Sequence, residues 1–368
     1  MIGTSPGESD TVSAMELWTI ATSSPNHIIR SAEACERDGL SGLVVTDSQN
    51  LAGDCYIALA AAASVTQRIG LGTGVTNPVT RHPAVTAAAI ASLQSISNGR
   101  AVLGIGRGDS SLAHLGRGPV SVEAMERYLI AVQTYLRGEP IAFEDLDFHE
   151  RLAPPVDDLH LADTPQASRL VWLGKMAKVP VEVAATGPKV IASAAVHAER
   201  VVLAVGADPE RLRWGIEVGR AARVAAGLDP DGVRFGCYAN IVSHPDRAVA
   251  RSLVAGGLAT FARFSVMHGR ATGPQTDESR AALETLHSRY DMKHHTRVDS
   301  DQAQVLNAEF VDRYAVVGSA ADCVAKLREI ESLGIDKVIA VGPTSGANVE
   351  EARRSSRIFA EDVVPHLV

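Results

Sequence analysis

The chain has 368 residues, of which 46% are hydrophobic and 21% charged, the balance of an ordinary globular protein. Its formal net charge of −8 and the lack of a basic run argue against nucleic-acid binding. Met1–Asp10 lacks the apolar core of a signal peptide. No apolar run approaches the length of about 18 residues that a membrane span needs, so we expect a cytoplasmic protein without a membrane partner.

The first part of the chain alternates short apolar runs with helical segments. The predicted strands are Ala14–Ile20, Ser41–Asp47, Arg68–Thr76 and Arg100–Ile105. The predicted helices that follow them are Asn26–Arg37, Asp54–Val65, Pro83–Ile96 and Val120–Arg137. Pro83 stands at the start of its helix, where proline is tolerated. Strands that alternate with helices in this way predict a parallel sheet.

The alternation stops between Gly138 and Pro180, a stretch rich in proline and acidic residues, and then resumes. Four more strands are predicted at Val181–Ala185, Arg200–Val205, Val233–Val242 and Lys337–Val341. The helices of this part are predicted at Pro188–His197, Asp208–Ala226, Asp246–Ala259, Ala320–Leu333 and Val349–Val364. Thr260–Arg313 is less periodic and rich in histidine, which predicts a second, partly helical excursion.

Eight strand–helix units in one chain favour a closed (β/α)8 TIM barrel over an open doubly wound sheet. Several strands are apolar on both faces, as a buried parallel sheet requires. No G-x-G-x-x-G opens a helix after the first strand, which weighs against a Rossmann fold. We therefore predict a single α/β domain over residues 1–368, with insertions at about 138–170 and 260–313.

The cysteines and the known hydrolase motifs give little evidence of a metal or a nucleophile. Cys35, Cys55, Cys237 and Cys323 form no C-x-x-C pair, which predicts buried thiols in a reducing compartment. The chain has no H-E-x-x-H motif, no cluster of His, Asp and Glu, and no G-x-S-x-G motif. A metal hydrolase or a serine hydrolase is therefore not expected.

In a barrel of this class the functional residues follow the carboxyl ends of the strands. The loops there are rich in small residues, which suit a flat, large ligand that the backbone approaches closely; they include Gly74, Val75, Thr76, Asn77, Gly106 and Gly206. Asp47 and Asp109 follow the second and fourth strands and could act as general acids or bases. The alternative is that they cap helices or pair with Arg81 or Arg107.

Thr186, Gly187, Pro188 and Lys189 lead from the fifth strand into a helix. Free backbone N–H groups and the helix dipole could form an anion site there, although an ordinary turn explains the same pattern. His82 precedes Pro83 and could cap the third helix. His294 and His295 lie in the aperiodic stretch and could belong to a lid.

Four segments of the chain resemble luciferase-like flavin-type oxidoreductases, most of all the branch typified by deazaflavin-dependent methylenetetrahydromethanopterin reductase. They are VTNPVTRHPAVTAAAIASLQSISNGRAVLGIGRGDS, TDSQNLAGDCYIALAAAA, VPVEVAATGPKVIASAAVHAERVVLAVG and GSAADCVAKLREIESLGIDKVIAVGP. The resemblance covers most of the chain outside 138–168 and 260–307. It implies a barrel with FMN or an 8-hydroxy-5-deazaflavin (coenzyme F420) at its carboxyl-end mouth.

The resemblance also implies roles for particular residues. Gly74–Val75 would be a non-prolyl cis peptide behind the central ring, and Asn77 would bond the polar edge of that ring. The stretch Ala185–Lys189 would hold the cofactor phosphate. Asp47 and Asp109 match acidic positions near the ring and are candidates for proton transfer. Ser48 stands where several relatives have histidine, so a histidine relay at that position is not expected.

The expected function is that of an oxidoreductase that passes a hydride between coenzyme F420 and a small organic substrate. Lys175, Lys178 and Lys189 would meet the acidic tail of that cofactor. One alternative is an FMN-dependent monooxygenase that uses dioxygen and a partner flavin reductase, and another is a non-catalytic binding barrel. Relatives form homodimers, and the Ala-rich helices at Ala58–Ala63 and Ala84–Ala91 could either form such an interface or pack on their own barrel.

Overall fold

The computed structural model describes residues 15–24, 26–147 and 153–368; Met1–Asp10 and Ala14 lie outside them. The strands within those ranges are Glu16–Ala21 (β1), Gly42–Val45 (β2), Gly70–Thr73 (β3), Ala101–Ile105 (β4), Val181–Ala185 (β5), Arg200–Leu203 (β6), Arg234–Ser243 (β7), Val316–Gly318 (β8) and Lys337–Val341 (β9). All pair in parallel. β1 to β7 follow one another, β6 pairs with β7, and β9 joins β7 to β1. The predicted eight-stranded closed barrel is confirmed.

Helices surround the barrel, as the alternation predicts. They are Ile28–Arg37 (α1), Cys55–Val65 (α2), Pro83–Ile96 (α3), Ser110–Ala113 (α4), Val122–Leu136 (α5), Pro188–His197 (α6), Pro209–Ala225 (α7), Arg247–Phe264 (α8), Asp277–Arg289 (α9), Ala308–Tyr314 (α10), Ala320–Ser332 (α11) and Val349–Ile358 (α12). Side chains before several helices accept backbone N–H bonds and so determine where the helix begins. His82 caps α3 in this way, as predicted.

The amino end of the barrel is filled by a large ring and a set of buried charges. The Trp18 ring lies where a Cβ on Gly42 would overlap it, so only glycine leaves room for this packing. Lys337 Nζ lies 3.4 Å from the centroid of that ring and 2.8 Å from an oxygen of Glu182. Arg200 pairs with the same carboxylate. This end is closed by packing, and the cavity of the barrel opens at the other end.

The described part of the first insertion has little regular structure, as predicted. Its described residues contain two short 3-10 helices, Phe143–Asp145 and Val156–Leu159. One antiparallel bridge between Ile141 and Ser168 ties its two ends together.

The second insertion is partly helical, as predicted, and it is followed by a strand that the sequence analysis missed. Helix α8 runs to Phe264 rather than ending at Ala259. Helices α9 and α10 pack against α8 in a separate apolar cluster. The missed strand β8 has three residues and pairs with the carboxyl end of β7. Such a short run has no periodicity of its own, so only its pairing reveals it.

The remaining expectations concern cysteines, metals and membranes. All four cysteines are buried and free. In the part of the chain that the structure describes, no three His, Cys, Asp or Glu side chains come together as a metal site would require. Within the same ranges, no helix has the length and apolar character to cross a bilayer.

Candidate active site

A cavity of about 780 Å³ opens at the carboxyl end of the barrel, between the strand ends and the second insertion. Its volume is in the range of cofactor and substrate sites. Seven residues predicted for the site line it, namely Asp47, Gly74, Val75, Gly106, Asp109, Thr186 and Gly187. The predicted position of the site is thus consistent with the structure.

The Gly74–Val75 peptide bond is cis, as the family resemblance implies. Both residues line the cavity directly after β3. A Cβ on Gly74 would lie 2.5 Å from Cγ2 of Val44, so a larger residue would have to displace β2. The close packing of these two strand ends places the backbone of Val75 at the floor of the cavity.

Asp47 lies at the cavity wall as a tightly paired carboxylate. Its side chain is 1% exposed, and it accepts hydrogen bonds from Arg81 Nη1 at 2.5 Å and Thr76 Oγ1 at 2.7 Å. Arg81 also pairs with Asp54 at 2.7 Å. Burial alone would lower the pKa of Arg81, but bonds and charges from the two carboxylates raise it above its usual value. The structure thus shows the alternative in which Asp47 pairs with Arg81, which holds the carboxylate in place.

Asp109 is paired as well, but with a partner that the sequence analysis did not consider. Arg263 Nη2, from the last turn of α8, donates to Asp109 Oδ2. The expected alternative partner, Arg107, instead donates to the backbone oxygen of Val120. The Arg263 guanidinium lies over the ring of Tyr290, 4.6 Å from its centroid. Asp109 and Arg263 neutralise one another at this wall.

A chain of hydrogen bonds crosses the same wall. Tyr290 Oη lies 2.7 Å from Nδ1 of His295 and 3.1 Å from Oγ1 of Thr260. Thr260 and His295 line the cavity. Burial lowers the pKa of His295 to about 4, so the imidazole is neutral at pH 7. The sequence signal was the histidine pair in the insertion, but nothing in the sequence separates His295 from exposed His294.

Six predicted cofactor residues do not line the cavity: Pro188 and Lys189 at the start of α6, and four whose atoms make other contacts within the chain. Asn77 Oδ1 accepts backbone N–H bonds from residues 79 and 80, so its side chain stabilises a turn instead of facing a ligand. Thr76 is buried and donates to Asp47. Ala185 is buried. Gly206 has a φ of 85°, and a Cβ there would lie 2.7 Å from Tyr314 Cδ1. Hydrogen bonds and packing within the chain account for these four positions.

Of the residues predicted to hold the cofactor phosphate and its tail, some line the cavity and others do not. Thr186 and Gly187 line the cavity. Pro188 and Lys189 are exposed in the first turn of α6, on the cavity side of the barrel.

Two of the three lysines predicted to meet a cofactor tail lie at the wrong end. Lys178 pairs with Glu199 at 2.8 Å beside the amino end of β6, opposite the cavity. Lys175 is in the same segment, which leads into the amino end of β5. The expectation that Lys175 and Lys178 contact the tail is corrected by this position.

The rest of the cavity wall is largely aromatic. Tyr238 of β7 and Phe261 of α8 have ring centroids 5.4 Å apart, and Phe264 meets Phe261 edge-on at 5.5 Å. Met267 continues this surface towards the mouth. One side of the cavity is therefore apolar, and the wall with Asp109, Arg263 and His295 is polar.

Comparison with known proteins identifies the family. The luciferase-like monooxygenase model matches residues 6–337 of the chain. The chain belongs to this family. Among curated members, a 5,10-methylenetetrahydromethanopterin reductase from Methanolobus tindarius is 26% identical over 332 residues, covering 88% of this chain and 92% of its own. The predicted family is confirmed.

Solved structures of other proteins show the same fold. The coenzyme F420 dependent tetrahydromethanopterin reductase from Methanopyrus kandleri superposes with a TM-score of 0.72 at 20% identity, covering 97% of this chain and 100% of that one. An F420-dependent secondary alcohol dehydrogenase gives a TM-score of 0.68 at 15% identity over 96% and 99% of the two chains. At these identities the likeness concerns the barrel alone.

Proposed function

We propose that the protein is an oxidoreductase that uses the deazaflavin coenzyme F420 to move a hydride to or from a small organic substrate. The observation that carries the proposal is the open cavity at the carboxyl end, which is lined at three successive loops by Gly74, Gly106 and Gly187. Alignment over 88% of the chain with a methylenetetrahydromethanopterin reductase supports the choice of reaction type. Two F420-dependent neighbours in fold are consistent with that cofactor.

The residues present fit such a cofactor. Gly187 has no atom within 4 Å of where a Cβ would stand, so the start of α6 is open to the cavity. Thr186 and the N–H groups of the first turn of α6 would hold a phosphate. Arg107 and Arg270 line the cavity and offer positive charge to an acidic group. When bound, the deazaflavin would supply hydride chemistry.

The chain itself would bind, orient and shield the reactants. Val75 and the aromatic wall of Tyr238, Phe261 and Phe264 would shield bound reactants from water. The pairs Asp47–Arg81 and Asp109–Arg263 place fixed, compensated charges on two sides. Such preorganised charge stabilises a polar transition state without needing to reorient.

An FMN-dependent monooxygenase with a partner flavin reductase is the second candidate, because the family model is described as a luciferase-like monooxygenase. A 3,6-diketocamphane monooxygenase in complex with FMN also shares the fold, with a TM-score of 0.62 at 18% identity. A non-catalytic barrel is the weaker alternative, since it does not account for an open cavity of about 780 Å³ with paired carboxylates at its wall.

Cofactor titration separates these candidates. Purified protein is titrated separately with coenzyme F420 and with FMN, and binding is followed by fluorescence quenching. We expect saturable deazaflavin binding that Gly187→Val weakens, because the added side chain enters the open space at α6. FMN binding without deazaflavin binding would support the monooxygenase, and binding of neither would support the non-catalytic barrel. Unfolding curves of Gly187→Val provide the folding control.

We also propose a homodimer, although not through the alanines first considered. Ala58, Ala62 and Ala87 are buried within the subunit, which agrees with the alternative that the Ala-rich helices pack on their own barrel. The same two helices nevertheless expose Ile57 and Val85, whose exposed fractions are 66% and 54%. Large apolar side chains exposed on adjacent helices favour an interface.

Light scattering tests this interface. Ile57→Asp together with Val85→Asp should convert a dimer to a monomer, because two charges would be buried unpaired. Val224→Asp is the matched control, since Val224 is 62% exposed on α7, away from this face. A dimer that survives the double substitution places the interface elsewhere.

A further inference from the structure

The polar wall of the cavity contains a hydrogen-bond chain whose direction can be assigned. Thr260 Oγ1 lies 3.1 Å from the backbone oxygen of Gly256, which can only accept a hydrogen bond. The single hydroxyl hydrogen of Thr260 is therefore used there. The contact of 3.1 Å between Thr260 Oγ1 and Tyr290 Oη then requires that Tyr290 donates.

The same reasoning determines the tautomer of His295. Since the hydroxyl hydrogen of Tyr290 goes to Thr260, the 2.7 Å contact with His295 requires that Nδ1–H donates to Tyr290 Oη. In a neutral imidazole with the hydrogen on Nδ1, the other nitrogen carries a free lone pair. The described residues give Nε2 no hydrogen-bond partner, and His295 lines the cavity. Nε2 is thus the atom left for a ligand.

We propose that His295 Nε2 is the general base that takes the hydroxyl proton of a small, uncharged, apolar secondary alcohol in this cavity. The inference rests on the proposed function, because coenzyme F420 supplies the other half of the reaction. The hydroxyl O–H bond breaks and its proton goes to Nε2, while the carbinol C–H leaves as a hydride to the oxidised deazaflavin. The alcohol loses two electrons and becomes a ketone, and His295 becomes an imidazolium that returns its proton to water.

The surroundings of His295 favour an uncharged substrate. The groups that act on it electrostatically are Asp109 and Arg263, which are paired with one another, and His114. Neither member of the pair is left to bind an ionic group of a substrate. The body of the ligand would contact the aromatic wall formed by Tyr238, Phe261 and Phe264. A compact apolar molecule with one hydroxyl group would contact the aromatic wall with its body and His295 with its hydroxyl.

His295 is unprotonated at physiological pH. Burial lowers its pKa to about 4, with Asp109 opposing that effect and Arg263 and His114 adding to it. The lone pair on Nε2 is therefore available at pH 7, and the bond from Nδ1–H to Tyr290 orients the ring. Tyr290 and Thr260 act as positioning residues, because they set the tautomer without contacting the substrate through their bonded atoms.

The first experiment needs neither the cofactor nor turnover. The protein is labelled with ¹⁵N-histidine, and the resonances of His295 are assigned among the twelve histidines by their loss in His295→Gln. We expect the Nδ1–H tautomer, and a shift of the Nε2 resonance when cyclohexanol is added as the probe. Saturation by cyclohexanol without that shift, or no binding of cyclohexanol, would overturn the inference. Tyr290→Phe should change the tautomer ratio, which keeps the test open if His295→Gln unfolds.

The second experiment measures oxidation of cyclohexanol by oxidised coenzyme F420. Loss of a general base should lower kcat by roughly 10²–10⁴-fold in His295→Ala, with partial rescue by added imidazole. His294→Ala is the matched control, because His294 is 55% exposed and pairs with Asp291 at the surface. If His295→Ala binds coenzyme F420 normally and its kcat is unchanged, the inference about His295 is overturned while the proposed function stands. Absence of coenzyme F420 binding would instead overturn the proposed function.

Discussion

The two ends of the barrel contain the same kinds of charged side chain, but the side chains differ in how far they are exposed. At the amino end Glu182 and Lys337 are 4% and 0% exposed, and Arg200 completes the set. At the carboxyl end Asp109 and Arg263 keep 19% and 11% of their surface beside an open cavity. Charges closed off from ligands can only hold the strands together, whereas charges that border a cavity can also act on a ligand. The comparison teaches that burial and access, not residue type, separate structural from functional charges here.

The largest expected effect is at the filled end. Glu182→Gln leaves Lys337 and Arg200 facing one another without their shared anion, and removal of one partner of a buried pair costs about 3–5 kcal/mol. Urea unfolding should show this loss while the remaining folded protein binds the cofactor normally. The control is Glu210→Gln, whose carboxylate is 60% exposed and pairs with Arg313. If both variants were equally stable, the charges at the filled end would not have the structural role assigned to them.

At the cavity end the effect should fall on turnover instead of stability. Asp109→Asn removes the charged partner of Arg263, and a hydrogen bond to a charged group contributes about 1.5–3 kcal/mol. We therefore expect kcat to fall by roughly 10- to 100-fold with little change in cofactor affinity. Steady-state kinetics and fluorescence titration measure the two quantities. An unchanged kcat would remove Asp109 from the reaction.

The pH dependence of stability should also report on the cavity wall. Burial lowers the pKa of His295 to about 4, below the value of 6.5 for a free histidine. Between these pH values the unfolded chain binds a proton that the folded chain does not. The free energy of unfolding should therefore fall as the pH decreases through this window, and His295→Gln should remove about one proton from the linkage. Urea unfolding at several pH values measures the slope, and identical slopes in the two proteins would argue against a buried neutral His295.

The smallest effect separates two exposed lysines at opposite ends of the barrel. Lys189 is on the cavity side at the start of α6, and Lys175 is on the segment leading into the amino end of β5. Lys189→Ala should weaken coenzyme F420 binding by up to about fivefold, in keeping with a surface ion pair of about 1 kcal/mol or less. Added salt should reduce the difference. A similar loss in Lys175→Ala would show that the cofactor tail extends differently.

The alternation of apolar runs and helical segments predicted the barrel correctly because both signals are local. Buried parallel strands such as β6 and β9 are apolar on both faces, and helix starts such as that of α3 carry their own caps. The order of strands then follows from the short connections between them. The sequence analysis missed strand β8, because three residues show no periodicity and because its pairing with β7 joins positions about 75 apart in sequence.

For the site, the sequence by itself determined which loops meet at the mouth, since strand ends of a closed barrel must converge there. It also determined the family and the position of the cis bond at Gly74–Val75. Only the tertiary structure decided which side chains face the cavity. The Asn77 side chain accepts a hydrogen bond from the nearby backbone. Asp109 pairs with Arg263 of α8, which is 154 residues further along the chain.

The proposed role of His295 shows the same division most sharply. Its neighbour His294 has the same side chain, yet His294 pairs with Asp291 at the surface and His295 bonds Tyr290 at the cavity wall. Hydrogen-bond direction and burial distinguish the two residues, and both depend on how the second insertion packs across the barrel mouth. No local pattern encodes that packing, because it depends on contacts with α8 and on the position of the insertion at the cavity.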